Sequence, residues 1–210
     1  MTDPTNLLLF MGATLALNVT PGPDMLYVIA RSASEGRRAG VASALGIAGG
    51  TVFHTLAVVL GLSSLLLAVP FAYDAVRLGG AAYLVYLGLR AILRPAGASA
   101  GTQRVAPASL WAIFRQGVVT NVLNPKVALF FLAFLPQFVD PARGRVPLQL
   151  LLLGVLFNAS GTLVNLAVAL AASGAGRWGR ARVGGSALLQ RLTGVVFVGL
   201  GVRLALQQRR

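Results

Sequence analysis

Asn18-Val19-Thr20-Pro21-Gly22-Pro23-Asp24 sits inside an apolar run that otherwise reads as a membrane-spanning helix. Two prolines bracket a glycine there. Each proline lacks a backbone N–H and clashes with the preceding turn, and the glycine weakens what helix remains. Asp24 follows directly. An ionisable side chain within an apolar segment is costly and marks a functional site by default. The pattern returns in the second half of the chain as Asn121-Val122-Leu123-Asn124-Pro125-Lys126. The first interruption carries an acid, the second a base.

Composition sets the class. The chain has 210 residues, 56% hydrophobic and 11% charged, with a mean hydropathy of +0.77. Soluble domains carry roughly 25% charged residues. Several runs reach the ~20 apolar residues that a helix needs to cross a bilayer. None alternates as barrel strands do. The sequence therefore predicts an all-α integral membrane protein. Its net charge of +13 raises the question of nucleic acid. However, Arg31, Arg37 and Arg38, then Arg90 and Arg94, then Arg177, Arg180 and Arg182 all flank apolar runs. There they act as topology determinants, and no separate basic domain is left for nucleic acid. With no cysteine and a single histidine, His54, thiol chemistry and Cys- or His-rich metal sites are excluded. Met1-Thr2-Asp3-Pro4 lacks the basic start of a signal peptide, so the first apolar segment is expected to be retained.

About six transmembrane helices are expected, each long enough or flanked suitably to span. The first covers Asn6 to Ala30, broken near Pro21. The second lies in Val41–Val69, a run too long for one upright helix, which tilts or ends near Gly61. The third is short, with Leu78–Leu89 charge-free between Arg77 and Arg90, whose side chains can snorkel. A low-complexity linker follows. The fourth covers Ser109 to Val139 and is broken at Asn124-Pro125-Lys126. The fifth lies in Val146–Gly176, and the sixth is Leu192–Val202.

The two halves repeat. Arg77-Leu-Gly-Gly-Ala-Ala-Tyr83 matches Arg191-Leu-Thr-Gly-Val-Val-Phe197. Gly50-Thr51 matches Gly161-Thr162, and Asn18-Val19 matches Asn121-Val122. This divides the chain into a first three-helix repeat (1–94), a linker (95–108) and a second three-helix repeat (109–210). An odd number of spans per repeat inverts one against the other, which places a site at their interface near mid-membrane. The loops after segments 1, 3 and 5 hold most of the arginines and should be cytoplasmic.

Helix breaks in a bilayer leave backbone groups that need partners. Carbonyls before a break attract cations, and N–H groups after it attract anions. Asn124 then Pro125 reads as N-cap then N1, as do Thr20 then Pro21 and Gly22 then Pro23. Asp24 with upstream carbonyls suits an ammonium. Lys126 with the N–H groups after Pro125 suits a carboxylate. The candidate binding residues are Thr20, Pro21, Gly22, Pro23, Asp24, Asn124, Pro125 and Lys126. The opposing reading pairs Asp24 with Lys126 as a lock between the repeats. Asp24 and His54 are candidates for a proton relay, against a neutral His54 bonded to a neighbouring helix. Asn158 and Asn165 read as interhelical hydrogen-bonders, and Gly46 with Gly50 as a close-packing surface.

Thr20-Pro21-Gly22-Pro23-Asp24-Met25 resembles the first signature of the LysE/RhtB amino-acid exporters. Asn124-Pro125-Lys126-Val127-Ala128-Leu129-Phe130-Phe131, running on to Leu135-Pro136-Gln137-Phe138, resembles the second. The resemblance covers nearly the whole chain. It implies a bacterial inner-membrane secondary transporter, of the homoserine/threonine-exporter kind, that exports amino acids or derivatives. It further implies small neutral substrates first, proton exchange, a lipid bilayer as surroundings and no cofactor. Many members carry Asn at the position of Asp24. A homo-oligomer is compatible with the sequence. One alternative is a metal or other ion exporter, disfavoured because Asp24 is the one acid placed for a cation. The other is a membrane-embedded enzyme, disfavoured because no Ser/His/Asp set, acid pair or metal cluster is visible.

Overall fold

A computed structural model describes residues 4–62, 70–93, 106–174 and 187–206, and among these the regular structure is entirely helical. The linker expected over 95–108 is described only from residue 106. The basic loop of Arg177, Arg180 and Arg182, and the closing Arg209-Arg210, lie outside the described residues.

The first apolar run forms α1, Pro4–Val19, and α2, Pro23–Glu35, with the break at Thr20-Pro21-Gly22. Gly22 is the extended N-cap of α2 and Pro23 its first helical residue, where a missing N–H costs nothing. A single residue, Gly36, joins α2 to α3, Arg37–Ala57. Its φ of 85° lies in the left-handed region that favours glycine, and its N–H caps Ser32 O at 3.0 Å. α3 runs on into a π-turn, Val58–Leu62, and the second span starts at Arg37 rather than Val41; the expected end near Gly61 falls at the edge of the described residues. α4, Pro70–Leu93, takes its flanking arginines into the helix and runs for 24 residues.

Ser109 caps α5, Leu110–Val122, by accepting from Ala112 N at 3.2 Å. α6, Pro125–Leu129, follows the second break and continues through a π-turn, Phe130–Phe134, into a 3-10 turn, Leu135–Phe138. α7, Val146–Gly174, is an unbroken helix of 29 residues, and α8 is Ala187–Leu206. By length and apolarity, Arg37–Gly61 and Val146–Gly174 can cross a membrane. Leu110–Val122 with Pro125–Phe138, bent by 48°, makes a third span if read as one. The protein is a multi-pass membrane protein.

Small residues bring the helices together. A Cβ on Gly46 would lie 2.2 Å from Phe114 O, and one on Gly50 would lie 2.6 Å from Asn121 Cβ. Both contacts rise together, so α3 and α5 run parallel in a seam where only glycine fits. On its other side α3 meets α7 antiparallel, through Thr55 with Gly154 and Gly40 with Ala169. α4 and α8 cross antiparallel, with Gly88 against Gly194 and Gly201 against Ala81. Asn121 packs on Gly50, and Asn18 packs on Gly161, whose Cβ would lie 3.1 Å from Asn18 Oδ1. Each asparagine thus meets the glycine of the other half's matching motif.

The irregular stretch after the second break is held by aromatic packing. Phe130 lies 4.9 Å from Phe134 and 5.0 Å from Phe157 between ring centroids, and Phe10 lies 5.3 Å from Phe138. These rings are fully or almost fully buried. Such pairs add about 0.5–1.5 kcal/mol each beyond their buried area, which offsets the looser hydrogen bonding of π and 3-10 turns.

A polar knot closes the far end of α2. Arg31, 3% exposed, pairs with Glu35 and donates to Ala106 O at 3.0 Å and Gln116 Oε1 at 2.6 Å. Glu35 Oε2 accepts from Ala108 N at 2.9 Å. Burial by itself raises the Glu35 carboxyl pKa, but the Ala108 N–H and the Arg31 guanidinium outweigh it and hold the carboxyl below its usual range.

Candidate functional site

The two breaks face one cavity, of about 30 Å³. A water needs at least about 10–15 Å³ of such space, so this one holds roughly two. It is too small for an amino acid as it stands. Thr20, Asp24 and Lys126 line it, joined by Asn18, Thr51 and Asn121. Pro21, Gly22, Pro23, Asn124 and Pro125 do not line it; they shape the breaks that present the other three.

Asp24 is 8% exposed and Lys126 9% exposed. Asp24 sits in the first turn of α2, where the helix dipole favours a negative charge. Its Oδ2 accepts from Asn121 Nδ2 at 2.8 Å, while Oδ1 has no hydrogen-bond partner among the described residues. Lys126 does not bond to Asp24. Its Nζ donates to Leu17 O and to Thr20 O, each at 3.0 Å. The base of the second break therefore meets two carbonyls at the first, of which Leu17 O also accepts from Thr20 N at 3.2 Å. The Lys126 stem crosses Gly22, where a Cβ would lie 3.1 Å from Nζ and 3.3 Å from Cε. Glycine at this position lets the stem approach the backbone. Asn124 caps α6 as expected, its side chain accepting from Lys126 N at 3.0 Å, and its own Nδ2 is buried without a partner among the described residues.

His54 is buried between the rings of Phe53 and Phe131. Its Nε2 lies 3.1 Å from Asn121 O. A carbonyl only accepts, so Nε2 carries the hydrogen. Asn121 thus stands between His54 and Asp24, bonding one through its backbone and the other through its side chain. The two candidates of the proton relay are thus linked through hydrogen bonds to one residue.

Asn158 and Asn165, both on α7, are the asparagines expected to bond between helices. Both line the cavity, and Asn158 Oδ1 accepts from Thr162 on its own helix at 3.3 Å rather than bridging helices. Asn158, Thr162 and Asn165 recur at helical spacing on one face of α7. That polar stripe in an apolar helix was the available signal for a third wall. Thr51 and Asn121 carried a weaker signal, visible only as repeat markers. Leu17, Met25, Ile47 and Phe157 supply the apolar lining.

The LysE type translocator profile matches residues 15–208. An uncharacterised membrane protein of Pseudomonas aeruginosa is 33% identical over 192 residues, covering 88% of each chain. The membrane protein YrhP of Bacillus subtilis is 27% identical over 209 residues, 96% of this chain and 99% of its own. A leucine efflux protein of Salmonella typhimurium is 32% identical over 134 residues, 62% of each chain. No solved structure matches. With both signature motifs in place and the profile spanning nearly its full length, this chain belongs to the LysE type translocator family.

Proposed function

We propose that the protein is an inner-membrane secondary transporter that exports amino acids or their derivatives, small neutral ones first, in exchange for protons. The observation that carries this reading is the shared cavity. It is faced by two helix breaks, one bearing a buried acid and the other a buried base. An α-amino acid presents opposite charges one carbon apart, and such a cavity can meet both without leaving either buried ion unpaired. The leucine efflux relatives support an amino-acid cargo. The apolar lining by Met25, Ile47 and Phe157 suits an uncharged side chain.

The architecture we propose is six crossings in two inverted repeats, 1–94 and 109–210, with 95–108 as linker. The reciprocal packing of Asn121 on Gly50 and Asn18 on Gly161 supports it, because a pseudo-two-fold axis exchanges those two pairs. In this scheme Asp24 carries the coupling proton, and His54 fixes Asn121 in place. The test is uptake of labelled neutral amino acids into everted membrane vesicles energised by a proton gradient. The expected result is accumulation that collapses with an uncoupler. Uptake no greater than in vesicles lacking the protein overturns the reading.

A further inference from the structure

Lys126 Nζ, 3.0 Å from each of two carbonyls at the end of α1, occupies a site whose shape is that of a primary-ammonium receptor. Leu17 O and Thr20 O converge on it because α1 stops at Val19: Pro21 and Pro23 stand where N–H donors four residues after Leu17 and three after Thr20 would be, and Leu17 O keeps one bond, from Thr20 N at 3.2 Å. The occupant reaches across from the other half of the chain, and its stem rests on Gly22. Buried Asp24 lines the same cavity with one oxygen unpartnered among the described residues.

We propose that the Leu17 and Thr20 carbonyls form the ammonium subsite of the transport site, and that Lys126 is its tethered occupant, displaced by the amine of the substrate. The naming of an amino acid as natural ligand rests on the export reading above; the subsite itself does not. Displacement leaves the Lys126 ammonium in a buried cavity, and a buried ion without a partner is strongly unfavourable. A simple amine therefore cannot evict it. A zwitterion can, because its carboxylate receives Lys126 as its ammonium takes the carbonyls. The cavity's present size, enough for about two waters, is that of a carrier closed on its own side chain. Selectivity for amino acids over amines follows from this exchange of partners.

The test uses ethylammonium as probe on the detergent-purified full chain, reading thermal unfolding for the wild type and Lys126→Ala. Ethylammonium at about tenfold its Kd should raise the Tm of Lys126→Ala by about 3 °C. It should leave the wild type unshifted. Tetramethylammonium, which has no N–H to donate, should shift neither. No selective shift of Lys126→Ala, an equal shift of the wild type, or an equal response to tetramethylammonium each overturns the proposal. If Lys126→Ala does not purify folded, Lys126→Met fills the stem's volume and bears the same test. Neither readout requires transport. Amine binding without amino-acid export removes the export reading and leaves the subsite, and export without amine binding does the reverse.

Discussion

Asn121 Nδ2 donates to Asp24 Oδ2 at 2.8 Å across 97 residues of chain, joining the acid of the first break to the helix that leads into the second. A hydrogen bond to a charged group contributes about 1.5–3 kcal/mol, so its loss is worth roughly tenfold or more in transport. Asn121→Leu should therefore cut initial uptake rates about tenfold. Asp24→Ala and Lys126→Ala should each cut export by a similar factor with normal membrane insertion. The double variant should fall short of the summed effects. Vesicle uptake normalised to inserted protein checks all four, and wild-type rates in both single alanine variants would sink the charge-pair site.

The glycine seam between α3 and α5 makes a stability prediction. An alanine at Gly46 drives its Cβ to 2.2 Å from a backbone oxygen, whereas nothing lies within 4 Å of a Cβ at Gly12. Overpacking of this kind costs about 1–3 kcal/mol. Gly46→Ala should lower the Tm in detergent by several degrees, and Gly12→Ala should hold or raise it, since alanine is the better helix former. Equal Tm values for the two variants would contradict the close contact.

Orientation can be read chemically, since the chain has no cysteine. Ser34 and Ala142 are both exposed and lie in connections after the first and fourth expected spans. Ser34→Cys should resist an impermeant maleimide until cells are permeabilised, and Ala142→Cys should react in intact cells. The reverse pattern would invert the topology assigned from the arginines.

The Arg31–Glu35 knot predicts a dependence on pH. The Glu35 carboxyl is held below its usual range in the folded chain, so the unfolded chain binds its proton first as pH falls. The stabilisation is present in full above the unfolded value of about 4.3. It disappears as pH drops through the lower folded value. Wild-type Tm should fall more steeply than that of Glu35→Gln below about pH 5, with parallel curves above it. Parallel curves throughout would exclude a role for the Glu35 charge.

The breaks were legible because proline and glycine act locally: Pro21, Gly22, Pro23 and Pro125 stop helices wherever they stand in an apolar run. The glycine seam was legible for the same reason, since Gly46 and Gly50 share a helix face. Partner choice was not. Nothing local in the sequence says whether the Lys126 ammonium meets Asp24, a substrate or a backbone carbonyl more than a hundred positions earlier, and the structure gives it Leu17 O and Thr20 O. The place of Asn158 and Asn165 at the cavity was not legible either, because an asparagine in an apolar helix can face a neighbouring helix or a cavity. Only the packing of α7 against α1 and α3 decides between them.

Gly36 leaves α2 no slack. With one residue between α2 and α3, any sliding of α2 would have to drag α3 with it, whereas a swing about Gly36 would not. Asp24 stands near the other end of α2, about 18 Å away at 1.5 Å per residue. A swing of about 10° carries its carboxylate roughly 3 Å, the length of a hydrogen bond, while the Arg31 end barely moves. The chain thus has a crank whose handle is the acid of the cavity and whose bearing is a single glycine.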